Sequence, residues 1–231
     1  WFSISSGKTN LLLSVFFADT LTGWTSGAYG TILKTTDKGT NWISQTSGTI
    51  SDLSSIHFTS SQTGWAAGTG GMIINTTDGG ISWNTQISGT TNNLFSIHFA
   101  DSQTGWAVGN AGTVLKTSDG GTNWIPQESS STSSFRSVYF VDNQTGWIVG
   151  SGGTIIKTTN GGTNWFPQTS GGLYGLRSAH FINSQTGWTA GSAGVVLKTT
   201  NGGTDWISQS IVSSTYLRCI YFTDPQTGWI V

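Results

Sequence analysis

A spacing of 41 residues constrains this chain more than any other feature. The tryptophan of a T-G-W element stands at Trp24, Trp65, Trp106, Trp147, Trp188 and Trp229. A second series stands at Trp1, Trp42, Trp83, Trp124, Trp165 and Trp206, closing a G-x-x-W element wherever the preceding residues are present. Every step in both series is 41 residues, and together they use all twelve tryptophans of the 231-residue chain. A fixed period of this length belongs to solenoids, propellers and arrays, where one supersecondary unit stacks on its own copies.

Residues 94–134 show what one unit contains. "LFSIHFA" (94–100) alternates and is rich in aromatic and branched residues, as a strand requires. "DSQTG" is a turn cluster, "WAVG" (106–109) a second strand, and "NAG" (110–112) a tight link with glycine at positive φ. "TVLKTS" (113–118) alternates as a third strand, "DGGTN" is a hairpin turn, and "WIPQ" (124–127) opens a fourth strand that Pro126 marks as an edge. No stretch has a helical period with caps. Four short antiparallel strands joined by hairpins make one blade of a β-propeller, so the expected fold is all-β. Complete blades fall near 12–52, 53–93, 94–134, 135–175 and 176–216, with a partial blade from 1–11 and 217–231. The expectation is a single propeller domain over 1–231, itself a fragment. It is either a six-bladed ring lacking one strand or a section of a larger ring.

A four-stranded blade cannot bury two apolar faces alone, so neighbouring blades must cover them. The tryptophans are expected to fill the layer between blades, each contributing about 1.5–3 kcal/mol or more on burial. Phe17, Phe58, Phe99, Phe140, Phe181 and Phe222 on the first strand are read the same way. So is the smaller column Val15, Ile56, Ile97, Val138, Ala179 and Ile220.

Charge excludes several classes of function. Only 8% of residues are charged and the net charge is −1, so no basic stripe exists to displace counterions from nucleic acid. No apolar run reaches the roughly 20 residues that cross a bilayer, so membrane insertion is not expected. Cys219 is the only cysteine, in a column otherwise filled by Ser14, Ser55, Ser96, Ser137 and Ser178. It reads as a small residue in a tight strand contact, not as part of a disulfide framework or metal cluster.

The phrases "TTDKGTNW", "TTDGGISW", "TSDGGTNW", "TTNGGTNW" and "TTNGGTDW" are headed by Asp37, Asp78, Asp119, Asn160 and Asn201. An Asp or Asn here accepts hydrogen bonds from backbone N–H groups a few residues on, while glycine takes the positive-φ position. Asn substitutes twice, which a turn tolerates and a calcium site or acid–base pair does not. No metal and no cofactor is expected. The pattern resembles the Asp-box, or bacterial neuraminidase repeat, of several propeller families. The whole unit "QTGWAVGNAGTVLKTSDGGTNW" is similar to the repeat of the photosystem II stability and assembly factor family and its bacterial relatives, many of them type IX-exported. That resemblance implies a propeller used for binding or scaffolding, in a secreted, cell-surface, periplasmic or thylakoid-lumen setting. Sialidase chemistry needs an arginine triad, a Tyr–Glu pair and an acid, and glycosidases in general need two spaced carboxylates. The chain has one glutamate, Glu128, and most of its aspartates belong to repeated turns, so an enzyme is not expected.

Two columns remain as candidate sites. Arg136, Arg177 and Arg218 are all the arginines and are spaced by 41, where earlier repeats carry Leu13, Ser54 and Phe95. They would present an arc of positive charge beside the variable connections "TSGTISD", "ISGTTNN", "ESSSTSS", "TSGGLYG" and "SIVSSTY". The alternative is that each covers a blade edge with its aliphatic stem. The second column is Phe16, His57, His98, Tyr139, His180 and Tyr221, read as flat side chains filling the layer between blades. Lys34, Lys116, Lys157 and Lys198, with Asn75 in the same column, read as solubilising charge near an outer strand. The expected function is a non-catalytic recognition or scaffold module that takes a protein or glycan partner on the variable-loop face, with self-association possible. The rivals are a structural subunit of a filament or surface layer, an assembly factor for a membrane complex, and a glycoside hydrolase.

Overall fold

The computed structural model describes residues 5–209 and 215–231. Trp1 and positions 210–214 of the fifth connection lie outside the described residues. Each of the five complete repeats is a four-stranded sheet with its strands side by side in chain order. In the fourth repeat the strands are Phe135–Phe140, Gly146–Gly150, Ile155–Thr158 and Phe166–Gln168, all antiparallel. A sixth sheet has two strands, Ile220–Phe222 and Gly228–Ile230. Repeated four-stranded antiparallel sheets of this kind are β-propeller blades. No helix among the described residues is long and apolar enough to cross a membrane.

Packing divides the chain into two compact units. One comprises residues up to Ala107 with Thr117–Ile125; the other comprises Val108–Lys116 with Pro126–Val231. The third repeat gives strands to both. In each unit the core lies between consecutive sheets. Trp24 and Ile32 of the first repeat pack on Leu53, Ile56, Phe58 and Ala66 of the second. Trp147, Val149 and Ile155 of the fourth pack on Leu176, Ala179 and Phe181 of the fifth. The second strand, Gly-Trp-x-x-Gly, is buried along its whole length in all five complete repeats.

The two tryptophan series do different work. Trp24, Trp65, Trp106, Trp147 and Trp188 are at most 2% exposed. Within the units they lie flat on the next repeat's phenylalanine: Trp24 on Phe58 at 3.7 Å, Trp65 on Phe99 at 3.5 Å, Trp147 on Phe181 at 3.6 Å and Trp188 on Phe222 at 3.8 Å. The indole N–H of Trp24, Trp65 and Trp147 donates to the carbonyl of Gly79, Gly120 and Gly202 in the next repeat's Asp-box turn. The second series instead meets the same phenylalanines edge-on, Trp83 on Phe58 at 5.9 Å and Trp206 on Phe181 at 5.9 Å. Trp42, Trp83 and Trp206 are only half-buried, whereas Trp124 and Trp165 are buried.

Three expectations need correction. Trp229 is 43% exposed, whereas its five counterparts are at most 2% exposed. Val15 and Phe17 are 61% and 41% exposed, since the face of the first strand (Leu12–Phe17) that later repeats bury against a preceding tryptophan is open here. The lysines are not ordinary surface charge. Lys34 Nζ donates to the Gly79 carbonyl at 2.9 Å, sharing that oxygen with the Trp24 indole, and lies 5.2 Å from the indole centroid. Lys157 and Lys198 stand over Trp147 and Trp188 in the same way. Burial lowers the pKa of Lys116 and Lys157. The column clamps one repeat to the next and adds cation–π attraction.

Strand limits also shift slightly. The second strand starts one residue earlier than expected, at Gly105 in the third repeat, and "NAG" forms a single 3-10 turn, Asn110–Gly112. Two consecutive residues there have positive φ. The first is Tyr29, Gly70, Ala111, Gly152 or Ala193; the second is always glycine, from Gly30 to Gly194. The asymmetry is steric, since a Cβ at Gly112 would strike the Ser131 carbonyl oxygen while one at Gly152 meets nothing within 4 Å.

Candidate functional site

The arginine column owes its direction to an irregularity in the first strand. Phe135 pairs with Gly150 and Ser137 with Val149, leaving Arg136 as an extra residue in a β-bulge. Leu176 and Ser178 flank Arg177 in the same way. At Arg218, the N–H groups of Arg218 and Cys219 both donate to the Val231 carbonyl, at 2.6 and 3.2 Å, so again two residues oppose one. A bulge turns its extra side chain out of the regular alternation. The glycine opposite is required by closeness: a Cβ at Gly150 would collide with the Ser134 carbonyl oxygen, although its φ of −166° suits any residue.

Arg136 and Arg177 are half-buried and Arg218 is exposed. Burial, and then the positive charge of Arg177, lower the pKa of Arg136, so adjacent repeats bring these two guanidinium groups within electrostatic reach. The Arg177 guanidinium lies 5.4 Å from the ring centroid of Tyr216. Leu173, Tyr174 and Tyr216, from the fourth and fifth connections, are exposed on this side of the second unit. The first three connections are turns closed by a serine. Ser47, Ser88 and Ser129 are buried, each accepting from the backbone N–H two residues on and donating to the carbonyl there. Backbone bonds such as Gly112 N–H to Ser133 O and Gly194 N–H to Thr215 O tie the connections to the 3-10 turns. In these three connections the variable part is therefore the side chains on a recurring backbone turn.

The Asp-box turns are closed in the same manner in every complete repeat. Thr35 Oγ1 donates to Asp37 Oδ1 at 2.8 Å and accepts from Gly39 N–H at 2.9 Å, while Asp37 Oδ1 accepts from Asn41 N–H at 2.9 Å. Ser82 N–H and hydroxyl hold Asp78, lowering its pKa to about 2. The Asn123 N–H and side-chain amide lower that of Asp119. Asn160 accepts from Asn164 N–H, and Asn201 accepts from Asp205 N–H. In the last case the polarity is exchanged, Asn201 Nδ2 donating to Asp205 Oδ2 at 2.8 Å. The carboxylates are thus occupied as acceptors within their own turns. No group of three His, Cys, Asp or Glu able to hold a metal occurs among the described residues.

The histidine column forms a ladder. Phe16 and His57 rings are 4.8 Å apart, His57 and His98 4.8 Å, Tyr139 and His180 4.9 Å, His180 and Tyr221 4.5 Å. Burial, and secondarily the charge of His98, lower the His57 pKa well below the usual imidazole value, and burial brings that of His180 down to about 4. His57 and His180 are therefore neutral ring-stacking elements near pH 7. Sequence reasoning missed the role of the serine column. Ser14, Ser55, Ser137 and Ser178 each accept the N–H of Ile56, Ile97, Ala179 and Ile220 in the next repeat, at 3.1–3.2 Å. The unbroken run of serine at one register position was its only signal.

The family described as Photosynthesis system II assembly factor YCF48 matches residues 1–90, 82–167 and 127–214, which together span most of the chain. The chain belongs to this family. Among solved structures it is similar to YCF48 bound to D1 peptide, with a TM-score of 0.56 at 21% identity over 96% of this chain and 90% of that one. YCF48 from Cyanidioschyzon merolae follows at 0.55 and 18% identity, over 96% and 92%. The GH74 xyloglucanase from Xanthomonas campestris superposes with a TM-score of 0.79 at 10% identity, over 98% of this chain and 45% of that one. Identities this low establish the shared propeller fold alone. A comparison with curated proteins finds no match. As a YCF48-family propeller, the chain is a member of a family of assembly factors, and its arginine column is the candidate contact surface.

Proposed function

We propose that this chain is a non-catalytic recognition module that holds an acidic segment of a protein partner. The contact face carries the connections, and Arg136, Arg177 and Arg218 supply the cationic groups. The observation supporting this reading most directly is that Arg136 and Arg177 stand at the same bulge position of consecutive first strands, in a chain whose charged residues are only 8% of the total. Two guanidinium groups held near each other have an unfavourable mutual field that an incoming carboxylate relieves, and each forms bidentate hydrogen bonds with it. Tyr174, Leu173 and Tyr216 add apolar area beside them. The family and the peptide complex of a related propeller agree with a protein partner. A secreted, cell-surface or lumenal setting belongs to the same proposal.

The test is titration of a fluorescent acidic peptide into the chain, with a sulfated oligosaccharide as competitor. Binding should weaken with salt and fall about tenfold or more in Arg177→Ala, the loss of one charge-assisted contact. Binding unaffected by Arg136→Ala and Arg177→Ala together would end the proposal, and tighter binding of the oligosaccharide would reassign the partner to glycan.

A further inference from the structure

Two register positions of the repeat face outward. The first is the residue that opens the positive-φ pair in the 3-10 turn, and it is exposed in all five complete repeats: Tyr29, Gly70, Ala111, Gly152 and Ala193. The second lies 21 residues on, in the connection, where Ile50, Thr91, Thr132 and Leu173 are exposed as well. The exposure is a property of the position, since the repeats share it.

The first repeat fills these positions unlike the others. Four repeats place glycine or alanine at the first of them, whereas the first repeat places a tyrosine there, at φ 54°. A bulky residue rarely takes this conformation, and such outliers cluster where a chain binds or reacts. Packing does not account for it. A Cβ at Gly70 or Gly152 meets nothing within 4 Å, and the Tyr29 ring is 75% exposed. Its backbone is nevertheless fixed, because the Tyr29 N–H donates to Asp52 Oδ1 at 2.9 Å. The ring is presented to solvent from a rigid base.

Ile50, 86% exposed, shares with Tyr29 an open groove of about 610 Å³. Gln45, Thr46, Ser47 and Thr49 supply the polar part of its lining. The Ser47 hydroxyl donates to the Thr49 carbonyl and Thr49 Oγ1 accepts the Ser51 N–H, so this wall is held in place. No charged side chain is among the described residues lining the groove. An anion finds no cation here and a cation finds no carboxylate, so the groove suits a neutral occupant. That occupant needs an apolar face for the ring and hydroxyls for the amide and hydroxyl groups beside it. A pyranose has both, since the C–H bonds of its less polar face carry partial positive charge that the negative face of an aromatic ring attracts. A proline-rich strand docks on a groove lined with aromatic rings, and an amphipathic helix needs a row of apolar anchors. One ring beside one isoleucine offers neither.

We propose that the first repeat binds a neutral carbohydrate, with one pyranose ring stacked on Tyr29 and its hydroxyls bonded to Gln45 Oε1 and Thr46 Oγ1. The site shares no residue with the arginine column, so it stands or falls separately from the acidic-partner reading.

The test is retention of the labelled 231-residue chain on an array of neutral oligosaccharides of gluco, galacto, manno and N-acetylglucosamine configuration, with decaproline as competitor. Wild type should be retained equally at low and high salt, unlike a contact made by guanidinium groups. Tyr29→Ala installs the residue already found at Ala111 and Ala193, and a thermal melt confirms that it is folded. It should weaken retention about tenfold or more, whereas Tyr29→Phe, which keeps the ring, should stay within about threefold of wild type. Arg136→Ala with Arg177→Ala should leave retention unchanged. Absence of retention on every glycan, undiminished retention of Tyr29→Ala, loss of retention with salt, or displacement by decaproline would each overturn the inference.

Discussion

Replacing Trp24 and Trp83 by alanine, one at a time, separates flat from edge-on packing on a single phenylalanine. Both touch Phe58, Trp24 at 3.7 Å with an interplanar angle of 12° and Trp83 at 5.9 Å and 90°. Trp24 is fully buried and donates to the Gly79 carbonyl; Trp83 is half-buried and its Nε1 has no partner. Deleting a fully buried large aromatic costs about 3–5 kcal/mol and its hydrogen bond about 1 more, so Trp24→Ala should cost about 4–6 kcal/mol. Roughly half that apolar burial and no hydrogen bond put Trp83→Ala at about 1.5–2.5 kcal/mol. Trp24→Phe is the control. It keeps most of the stack, and Lys34 Nζ still donates to the orphaned carbonyl at 2.9 Å, so the loss should be only about 1–2 kcal/mol. Equilibrium urea unfolding of the three variants gives the three free energies. If Trp83→Ala cost as much as Trp24→Ala, or Trp24→Phe as much as Trp24→Ala, the assignment of the interface to the flat stack would be wrong.

Two further outcomes follow from the turns and the ladder. Gly150→Ala should lower the melting temperature strongly because its Cβ strikes the Ser134 carbonyl. Gly152→Ala, with open space around it and alanine already at Ala111 and Ala193, should shift it little; paired thermal melts decide. Because burial lowers the His180 pKa from 6.5 to about 4, the unfolded chain binds the proton more readily than the folded one. The stabilisation is complete above about pH 6.5 and is lost as pH falls towards 4, by up to about 3 kcal/mol. His180→Tyr, the residue its neighbours Tyr139 and Tyr221 already use, should flatten that part of a melting-temperature profile against pH, and an unchanged slope would exclude His180 as its source.

The tryptophan period made the sheets, their strand number and the layer between them legible in the sequence. A side chain that recurs at a fixed step must meet the same neighbour each time. What stayed hidden is the partner of each column. Nothing in "ILKTTD" tells that Lys34 reaches across to the turn of the next repeat, because that contact joins residues 45 apart through a sheet-to-sheet distance no local pattern encodes. The serine column was visible as a composition fact but not as a hydrogen bond, for the same reason. The arginines were legible as a column, but their projection depends on a bulge, and a bulge leaves the sequence alternation only slightly disturbed. Phe17 and Trp229 were misread because a column argument assumes that every member has both neighbours.

These separations explain how one framework can carry an adjustable surface. The ties between repeats run through the T-G-W indole, the first-strand phenylalanine and serine, the lysine and the Asp-box carbonyl. The bulge residue takes part in none of these. Leu13, Ser54 and Arg136 occupy that position with the same pairing shift beside them and the same glycine opposite. Exchanging one for another changes the charge of the face without moving a strand. Stability and recognition are therefore set by different columns of the same 41-residue phrase. A cationic arc can be confined to three successive positions, Arg136, Arg177 and Arg218, because nothing in the packing requires the other repeats to follow.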